Sequence, residues 1–314
     1  PSPVGRFHSL DTFETPPLPS LCELGFVEMP ISLPVATEAA AQQRLADFVD
    51  KAIFTYNDTR DLLAVAPPQY TSCLSPYLRF GLLSIRAIYG AARAAYLQAE
   101  DDRARKSVER WVSELAWREF YAHILWHYPH VLRQNFRREY DMLEWRDNTA
   151  ALQAWQNGKT GYPIVDAAMR QLVQTGWLPN RARMIVASFL TKDLLIHWQE
   201  GERFFMQHLI DGDPASNNGG WQWTAGTGTD AQPYFRIFNP VKQSQKFDPD
   251  GVYIKRWIPE LRDVPVPYIH QPWTMEHPPA NYPAPIIDHA FARQRTLVAY
   301  GAARIAPTKE AETR

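Results

Sequence analysis

Five residues between positions 111 and 121 bring aromatic planes, a carboxylate and a guanidinium onto one surface. At about 100° per residue, Trp111, Glu114, Trp117, Arg118 and Tyr121 fall within one helical sector of about 120°. Val112, Leu115, Ala116 and Phe120 fall mostly on other sides. A helix that is apolar over much of its circumference but carries Glu and Arg between tryptophans is expected to be buried, with that sector lining a pocket. The competing arrangement, a Glu114–Arg118 pair on a solvated face, would leave two indoles in water.

The second concentration of chemistry is Asp211–Pro240. It holds five of the fifteen glycines, three Asp, Trp221 and Trp223, with neither the helical nor the strand period. Such a stretch is functional or disordered. Disorder is disfavoured by Tyr234, Phe235 and Phe238 together with the two tryptophans. A buried, backbone-rich ligand cradle is expected, weighed against a merely structural loop.

Three further groups carry weaker signals. Thr71, Ser72 and Ser75 precede Pro76 and an apolar run, the pattern of a helix N-cap whose free N–H groups can also hold a phosphate. Asn180 is placed as an N-cap, and Arg181 and Arg183 in the following turn oppose the helix dipole, so they need an external anion or an internal carboxylate. Gln243, Lys246, Lys255 and Arg256 gather near Tyr253 and Trp257.

Other motifs fail on context. Gly158-Lys159-Thr160 lacks the upstream glycine of a phosphate loop, and Tyr162-Pro163 stands where the helix should start. Gly226–Ala231 fits a loose dinucleotide pattern, but no apolar strand precedes it. His123 and His127 have the spacing of helical zinc ligands without the adjoining Glu, so no metal site follows.

Composition bounds the rest. A formal charge of −1 excludes a uniformly basic nucleic-acid binder, while 33 Lys and Arg leave room for a local basic face. Cys22 and Cys73 belong to no ligand spacing and read as reduced thiols of an intracellular, cytoplasmic protein. No run of about eighteen apolar residues and no signal pattern occurs. The chain opens on Pro1 rather than Met and reads as a processed or excised portion. Eleven tryptophans require either a large aromatic core or a chemistry that uses indoles for stacking or for moving electrons.

These residues must be positioned by helices. Residues 1–38 read as a proline-rich connector with anchors Leu24, Phe26 and Val27. A helix runs from Thr37 to Tyr56 and Arg60, before the Ala66-Pro67-Pro68 break. Another runs from Ser84 toward Leu97, the Glu100–Lys106 charge run is a solvated connection, and Ser107–Tyr128 is the strongest helix. Further helices are expected over Ile164–Thr175 with Gly176 as stop, from Arg181 to Trp198, over Glu202–Ile210 and over His289–Ala303. With no βαβ rhythm, the fold is all-α around an interior ligand: residues 39–305 are the domain and 306–314 a tail.

Three motifs then point to a family. Trp111–Tyr121, Gly158–Arg170 and Asp211–Trp223 resemble, in order and spacing, the flavin domain of the photolyase/cryptochrome family, closest to class I cyclobutane pyrimidine dimer photolyases. The resemblance covers roughly residues 40–300. It implies an all-helical array enclosing FAD in a U-shaped form. Tyr56, Thr71, Ser72, Cys73, Leu74, Ser75, Trp111 and Arg118 would bind it. Asp211 and Asp213 would lie along its ring system with Arg183 paired to Asp211, and Asn217 would sit against N5.

By the same resemblance, Trp117 and Trp223 would wall a flipped pyrimidine dimer, with Glu114, Asn180 and Met184 on its bases. Arg60, Tyr121, Arg181 and Gln243 would contact DNA, as would Glu114 and Asn180. Trp145, Trp198 and Trp221 match an electron relay. The implied reaction is light-driven: photoexcited reduced FAD donates an electron, the cyclobutane ring splits, and the electron returns.

The family's N-terminal α/β antenna domain has no counterpart pattern, so no antenna pigment is assigned. A separate antenna domain, an antenna-less form and a nicked protein stay open. The partners implied are dimer-bearing DNA and no membrane, for a monomer. A cryptochrome-type photoreceptor is the alternative, disfavoured because Asn217 resembles the photolyase N5 neighbour. A (6-4) photolyase would carry His where Asn180 stands, and the net charge counts against a light-independent DNA-binding module.

Overall fold

The computed structural model describes residues 16–26, 31–64, 70–230, 233 and 236–305, with no side-chain account of residues 304 and 305. Val27, the Ala66–Pro68 break, Ala231, Tyr234, Phe235 and the 306–314 tail lie outside them. The chain divides into two units, Pro1–Leu33 and Pro34–Arg314. In the first, the Ser20 backbone N–H and hydroxyl both donate to Glu23 around a turn.

In the second unit the described residues form helices and turns, with no strand among them. Thirteen α-helices follow one another among the described residues. These are α1 (Glu38–Asp50), α2 (Tyr56–Thr59), α3 (Ser75–Arg79), α4 (Ile85–Gln98) and α5 (Asp102–His127). Next come α6 (Thr149–Gln156), α7 (Pro163–Thr175), α8 (Asn180–Ser188), α9 (Trp198–His208) and α10 (Pro214–Ala225). The last are α11 (Pro240–Phe247), α12 (Val252–Trp257) and α13 (His289–Ile305). The all-α expectation holds, and none of these helices is long and apolar enough to cross a membrane.

Two large apolar clusters carry the unit. Phe48, Ile53, Ile88 and Trp111 join α1, α4 and the start of α5, while Trp155, Met169, Ile185, Trp198, Phe205 and Ile254 join α6 to α9 and α12. A third, smaller cluster puts Tyr140 and Leu195 on Tyr300 of α13. At about 25 cal/mol per Å² of apolar surface, fully burying one such large side chain stabilises by roughly 1.5–3 kcal/mol.

Several sequence expectations are corrected. The segment from Thr37 to Arg60 is three pieces, because the backbone leaves the helical region at Lys51 (φ −140°) and re-enters through a 3₁₀ turn over Ala52–Thr55. The Glu100–Lys106 charge run is the start of α5: the Asp101 side chain accepts from the Ala104 N–H at 2.7 Å and caps it. The Arg181–Trp198 helix ends at Ser188 in a π-turn over Phe189–Asp193, and Leu195 takes a left-handed φ of 54° before α9 begins. The Asp193 carboxylate, wholly buried, accepts from His289 at the start of α13 and ties that turn down.

The largest correction lies inside Asp211–Pro240, where α10 occupies a stretch with no readable period. Asp213 caps it by accepting from the Ser216 N–H at 2.8 Å, and Pro214 supplies a preset first-turn φ. Gly219 and Gly220 each cost about 1 kcal/mol against Ala in a helix. Close packing explains the first of them. A Cβ on Gly219 would lie 2.1 Å from Tyr121 of α5, so the glycine lets α10 approach α5 at the face predicted to line a pocket.

Candidate active site

Where α5, α8, α9 and α10 meet, they enclose a cavity of about 510 Å³, closed on one side by residues 71–79. That volume is in the range of cofactor and ligand sites. The predicted sector of α5 faces it: Trp111, Glu114, Trp117, Arg118 and Tyr121 all line the wall. Arg118 pairs with Glu119 at 2.5 Å rather than with Glu114. The Glu114 carboxylate instead accepts from Arg60, and Arg110 stands 3.4 Å from it.

Trp117 and Tyr121 are stacked one turn apart, centroids 5.9 Å and planes 29° apart. Burial pushes the Tyr121 phenol up to about 12, with nearby Asp230 adding to the shift, so it is a neutral hydrogen-bonding group at working pH.

Residues 71–75 line the same cavity. The hydroxyls do not cap a helix: α3 starts at Ser75, its N-cap is Leu74, and no side chain bonds to the cap. Thr71, Ser72 and Ser75 line the cavity instead. Cys73 is held at φ 51°, a left-handed conformation rare outside glycine, which costs on the order of 1–3 kcal/mol. Burial pushes the Cys73 thiol up to about 12, so it is no nucleophile. A strained, hydroxyl-rich bend facing a cavity suits a phosphate or sugar better than a core.

The dipole argument for α8 resolves toward internal carboxylates. Arg183 Nη2 donates to the Asp211 carboxylate at 2.8 and 3.1 Å, and Arg183 Nε to the Leu178 carbonyl at 3.0 Å. Arg181 Nη2 donates to Asp61 at 2.7 Å, and its guanidinium lies 4.3 Å over the Phe247 ring. Asn180 is not the cap, because Pro179 occupies that position; Asn180 Nδ2 points along the helix to Met184 Sδ at 3.7 Å. Asn180, Arg183 and Met184 line the cavity, whereas Arg181 does not.

From α10 and the turn before it come Asp211, Asp213, Asn217, Trp221 and Trp223. The side-chain amide of Asn217 donates to the Glu202 carbonyl at 3.0 Å, which leaves its oxygen for the cavity. Burial pushes the Glu202 carboxyl above the usual range, although it accepts from Asn218 at 3.0 Å.

Trp221 rests on α9 at Gly201, where a Cβ would fall 2.1 Å from its ring, and meets Phe205 edge-on at 5.0 Å. Trp198, one turn before Gly201, is fully buried and donates from Nε1 to Asn135 at 2.8 Å. Trp145 reaches Trp198 through His197, with centroid separations of 5.1 and 5.6 Å.

Of the residues singled out in the sequence, Tyr56, Arg60 and all of Thr71–Ser75 therefore converge with the α5, α8 and α10 groups. Trp145 and Trp198 lie behind the wall, and Gln243 stands apart on α11 with its Oε1 buried and unpartnered. Arg79, Arg110, Trp177, Phe205 and Leu209 also line the cavity and were not anticipated. Arg110 was legible, since it falls in the same sector of α5 as Glu114. Phe205 and Leu209 carried no signal beyond ordinary helical apolarity. Gly158–Thr160, rejected as a phosphate loop, serves structure, with the Thr160 and Gly161 N–H groups donating to the buried Asp166.

A family described as the FAD binding domain of DNA photolyase matches residues 111–302. The chain belongs to that family, and FAD is its cofactor. A deoxyribodipyrimidine photo-lyase of Halobacterium salinarum is 47% identical over 312 residues, 97% of this chain and 64% of that protein. The Escherichia coli protein of the same name is 52% identical over 271 residues, 85% of this chain and 56% of its own. Among solved structures, a class III photolyase from Agrobacterium tumefaciens superposes with TM-score 0.80 at 44% identity, covering 86% of this chain and 56% of that one. A Synechocystis cryptochrome superposes at 0.79 and 33% identity, with 90% and 60% covered. The chain thus spans between 56% and 64% of these relatives' length.

The cavity fits FAD on its own chemistry. Its lining offers hydroxyls and a left-handed bend, an Arg183–Asp211 pair and the Asn217 amide, together with the aromatic rings of Trp111 and Trp221.

Proposed function

We propose that this chain repairs cyclobutane pyrimidine dimers in DNA under blue or near-UV light. The observation that carries the reading is that one cavity is lined by two chemically distinct sets of side chains. Thr71, Ser72, Ser75, Arg183, Asp211, Asp213 and Asn217 are a polar set suited to a dinucleotide cofactor; Tyr56, Cys73, Leu74, Trp111 and Arg118 complete it. Trp117 and Trp223 offer flat aromatic faces, with Glu114, Asn180 and Met184 as the second set.

When bound and reduced, FAD would supply the photoexcited electron that opens the cyclobutane ring and recover it afterwards. The chain's own residues bind and orient. Photolyases as a class act on a nucleotide flipped out of the duplex. Stacking two bases on Trp117 and Trp223 is worth about 1–3 kcal/mol each, enough to offset the few kcal/mol of unstacking a damaged step. Glu114 offers an acceptor to a base N–H, and Asn180 both a donor and an acceptor. Asn217, oriented through its amide nitrogen, presents its carbonyl to the cofactor. Trp221, Trp198 and Trp145 form a series of indoles leading outward for the supply of reducing electrons.

Arg60, Tyr121, Arg181 and Gln243 complete the DNA contact, with Arg60 and Tyr121 on the cavity wall. The reading is of a monomer acting in the cytoplasm on damaged DNA, residues 39–305 being the catalytic domain. A separate N-terminal antenna domain would add light capture without entering the cavity.

The test is repair of a thymine-dimer oligonucleotide by the purified, flavin-loaded chain, with light and dark arms beside the visible spectrum. Repair in the light arm alone is expected. A flavin-loaded sample that repairs nothing in light favours the photoreceptor reading instead.

A further inference from the structure

Five charged side chains form a continuous row that starts on the cavity wall. Arg110 stands 3.4 Å from the Glu114 carboxylate, which also accepts from Arg60; Arg60 Nε lies 3.8 Å from Asp61, and Asp61 accepts from Arg181 at 2.7 Å. Arg60, Arg110 and Glu114 line the cavity, whereas Asp61 and Arg181 continue beyond it. The Arg60 and Arg181 side chains are 14% and 18% exposed and Asp61 30%, so the row is only partly screened by water.

Asp61 is the hinge of this row. It joins the guanidinium of its neighbour Arg60 to that of Arg181, 120 residues further along the chain from Asp61. It is also the carboxylate that makes Arg181 tolerable in the first turn of α8, where the helix dipole disfavours a cation. Both arginines meet the same Glu114 oxygen, Oε1, and Asp61 is the second carboxylate beside Arg60.

We propose that Asp61 sets the charge of the DNA-entry rim: it holds Arg60 and Arg181 in fixed positions and offsets one of their charges, restraining affinity for undamaged phosphodiester backbone. The proposal rests on the repair reading, because its ligand is the backbone of a dimer-bearing strand. Affinity for undamaged DNA follows the number of unneutralised cations, whereas the lesion complex also needs those cations held in place. Removing the carboxylate strengthens the first and gains less in the second, so discrimination falls.

The experiment measures binding of the flavin-loaded chain to one duplex with and without a single thymine dimer, from about 50 to 200 mM salt. Asp61→Asn is expected to tighten undamaged binding roughly 3–10-fold, steepen the salt slope by about 0.9 and narrow the damaged-to-undamaged ratio. Asp61→Glu, which keeps the charge, retains the wild-type slope. Arg181→Gln leaves Asp61 in excess and makes the slope shallower by about 0.9. This variant decides the matter if Asp61→Asn fails to bind flavin or melts early. The proposal is overturned if Asp61→Asn weakens both duplexes in parallel at unchanged slope, or if Arg181→Gln leaves the slope as it was. A wild-type chain that does not distinguish the two duplexes removes the repair reading itself, and that outcome is visible without any variant.

Discussion

Asn217 Nδ2 of α10 donates to the Glu202 backbone carbonyl of α9 at 3.0 Å, so the orientation of one amide in the cavity is fixed by the backbone of the neighbouring helix. Replacing the amide by Asp removes the donor and brings a carboxylate toward a carbonyl oxygen and the cofactor. Asn217→Asp should make the bound flavin harder to reduce. If the carboxylate opposes the added electron by about 0.5–1.5 kcal/mol, the potential shifts by roughly 20–65 mV to more negative values for a one-electron step. Spectroelectrochemical titration reads it; an unchanged or more positive potential would mean that Asn217 does not face the reducible ring.

The two adjacent glycines of α10 should respond oppositely to one methyl group. At Gly219 a Cβ would meet the Tyr121 ring at 2.1 Å, so Gly219→Ala should force α10 from α5 and destabilise by about 1–3 kcal/mol. Around the Gly220 Cβ position there is nothing within 4 Å, and Gly220→Ala should stabilise by up to about 1 kcal/mol through helix propensity. Urea unfolding of the apoprotein compares them. Equal effects would contradict the close approach of the two helices.

That pair also explains which parts of the architecture could be read from sequence. The α5 sector was legible because the residues from Ser107 to Tyr128 keep one helical phase, and the aromatic and charged groups at Trp111, Glu114 and Trp117 share it. The α10 helix was not, since Gly219, Gly220, Asn217 and Asn218 are all poor helix formers. The reason Gly219 is tolerated lies on α5, at Tyr121. The same holds at the end of α8: Ser188 to Leu195 has no breaker, and the π-turn is held from outside by His289 and Arg295 on Asp193. The Thr71–Ser75 hydroxyls were legible as polar groups in need of a partner, but local pattern could not tell a helix cap from a cavity wall. Residues whose role depends on distant elements, such as Phe205, left no trace in spacing.

Of Trp221, Trp198 and Trp145, Trp221 alone lines the cavity. Trp221→Phe keeps an aromatic ring against Gly201 and Phe205, so the fold should survive the change. Photoreduction of the oxidised flavin should slow at least about tenfold, which corresponds to about 1.4 kcal/mol of barrier, while repair after chemical reduction is spared. Transient absorption separates the two. Photoreduction at the wild-type rate would place the electron supply elsewhere.

The pH response of stability should carry the signature of Asp193. Burial raises its carboxyl from an ordinary 3.8 to about 6, against the opposing pull of the His289 hydrogen bond. Between those values the folded chain keeps a proton that the unfolded chain has released. The stabilising contribution is therefore present below about pH 4 and is lost as pH rises through 6, a change on the order of 3 kcal/mol. Asp193→Asn has no proton to lose and keeps an oxygen to accept from His289. Its stability relative to wild type should therefore climb across that window and level off above it. Asp166, Asp248 and Glu202 are likewise raised by burial but are common to both proteins, so the difference isolates Asp193. Urea unfolding at several pH values measures the difference. A flat difference would mean that Asp193 is as acidic in the folded chain as in the unfolded one, and that the tie between the π-turn and α13 is a fully compensated ion pair.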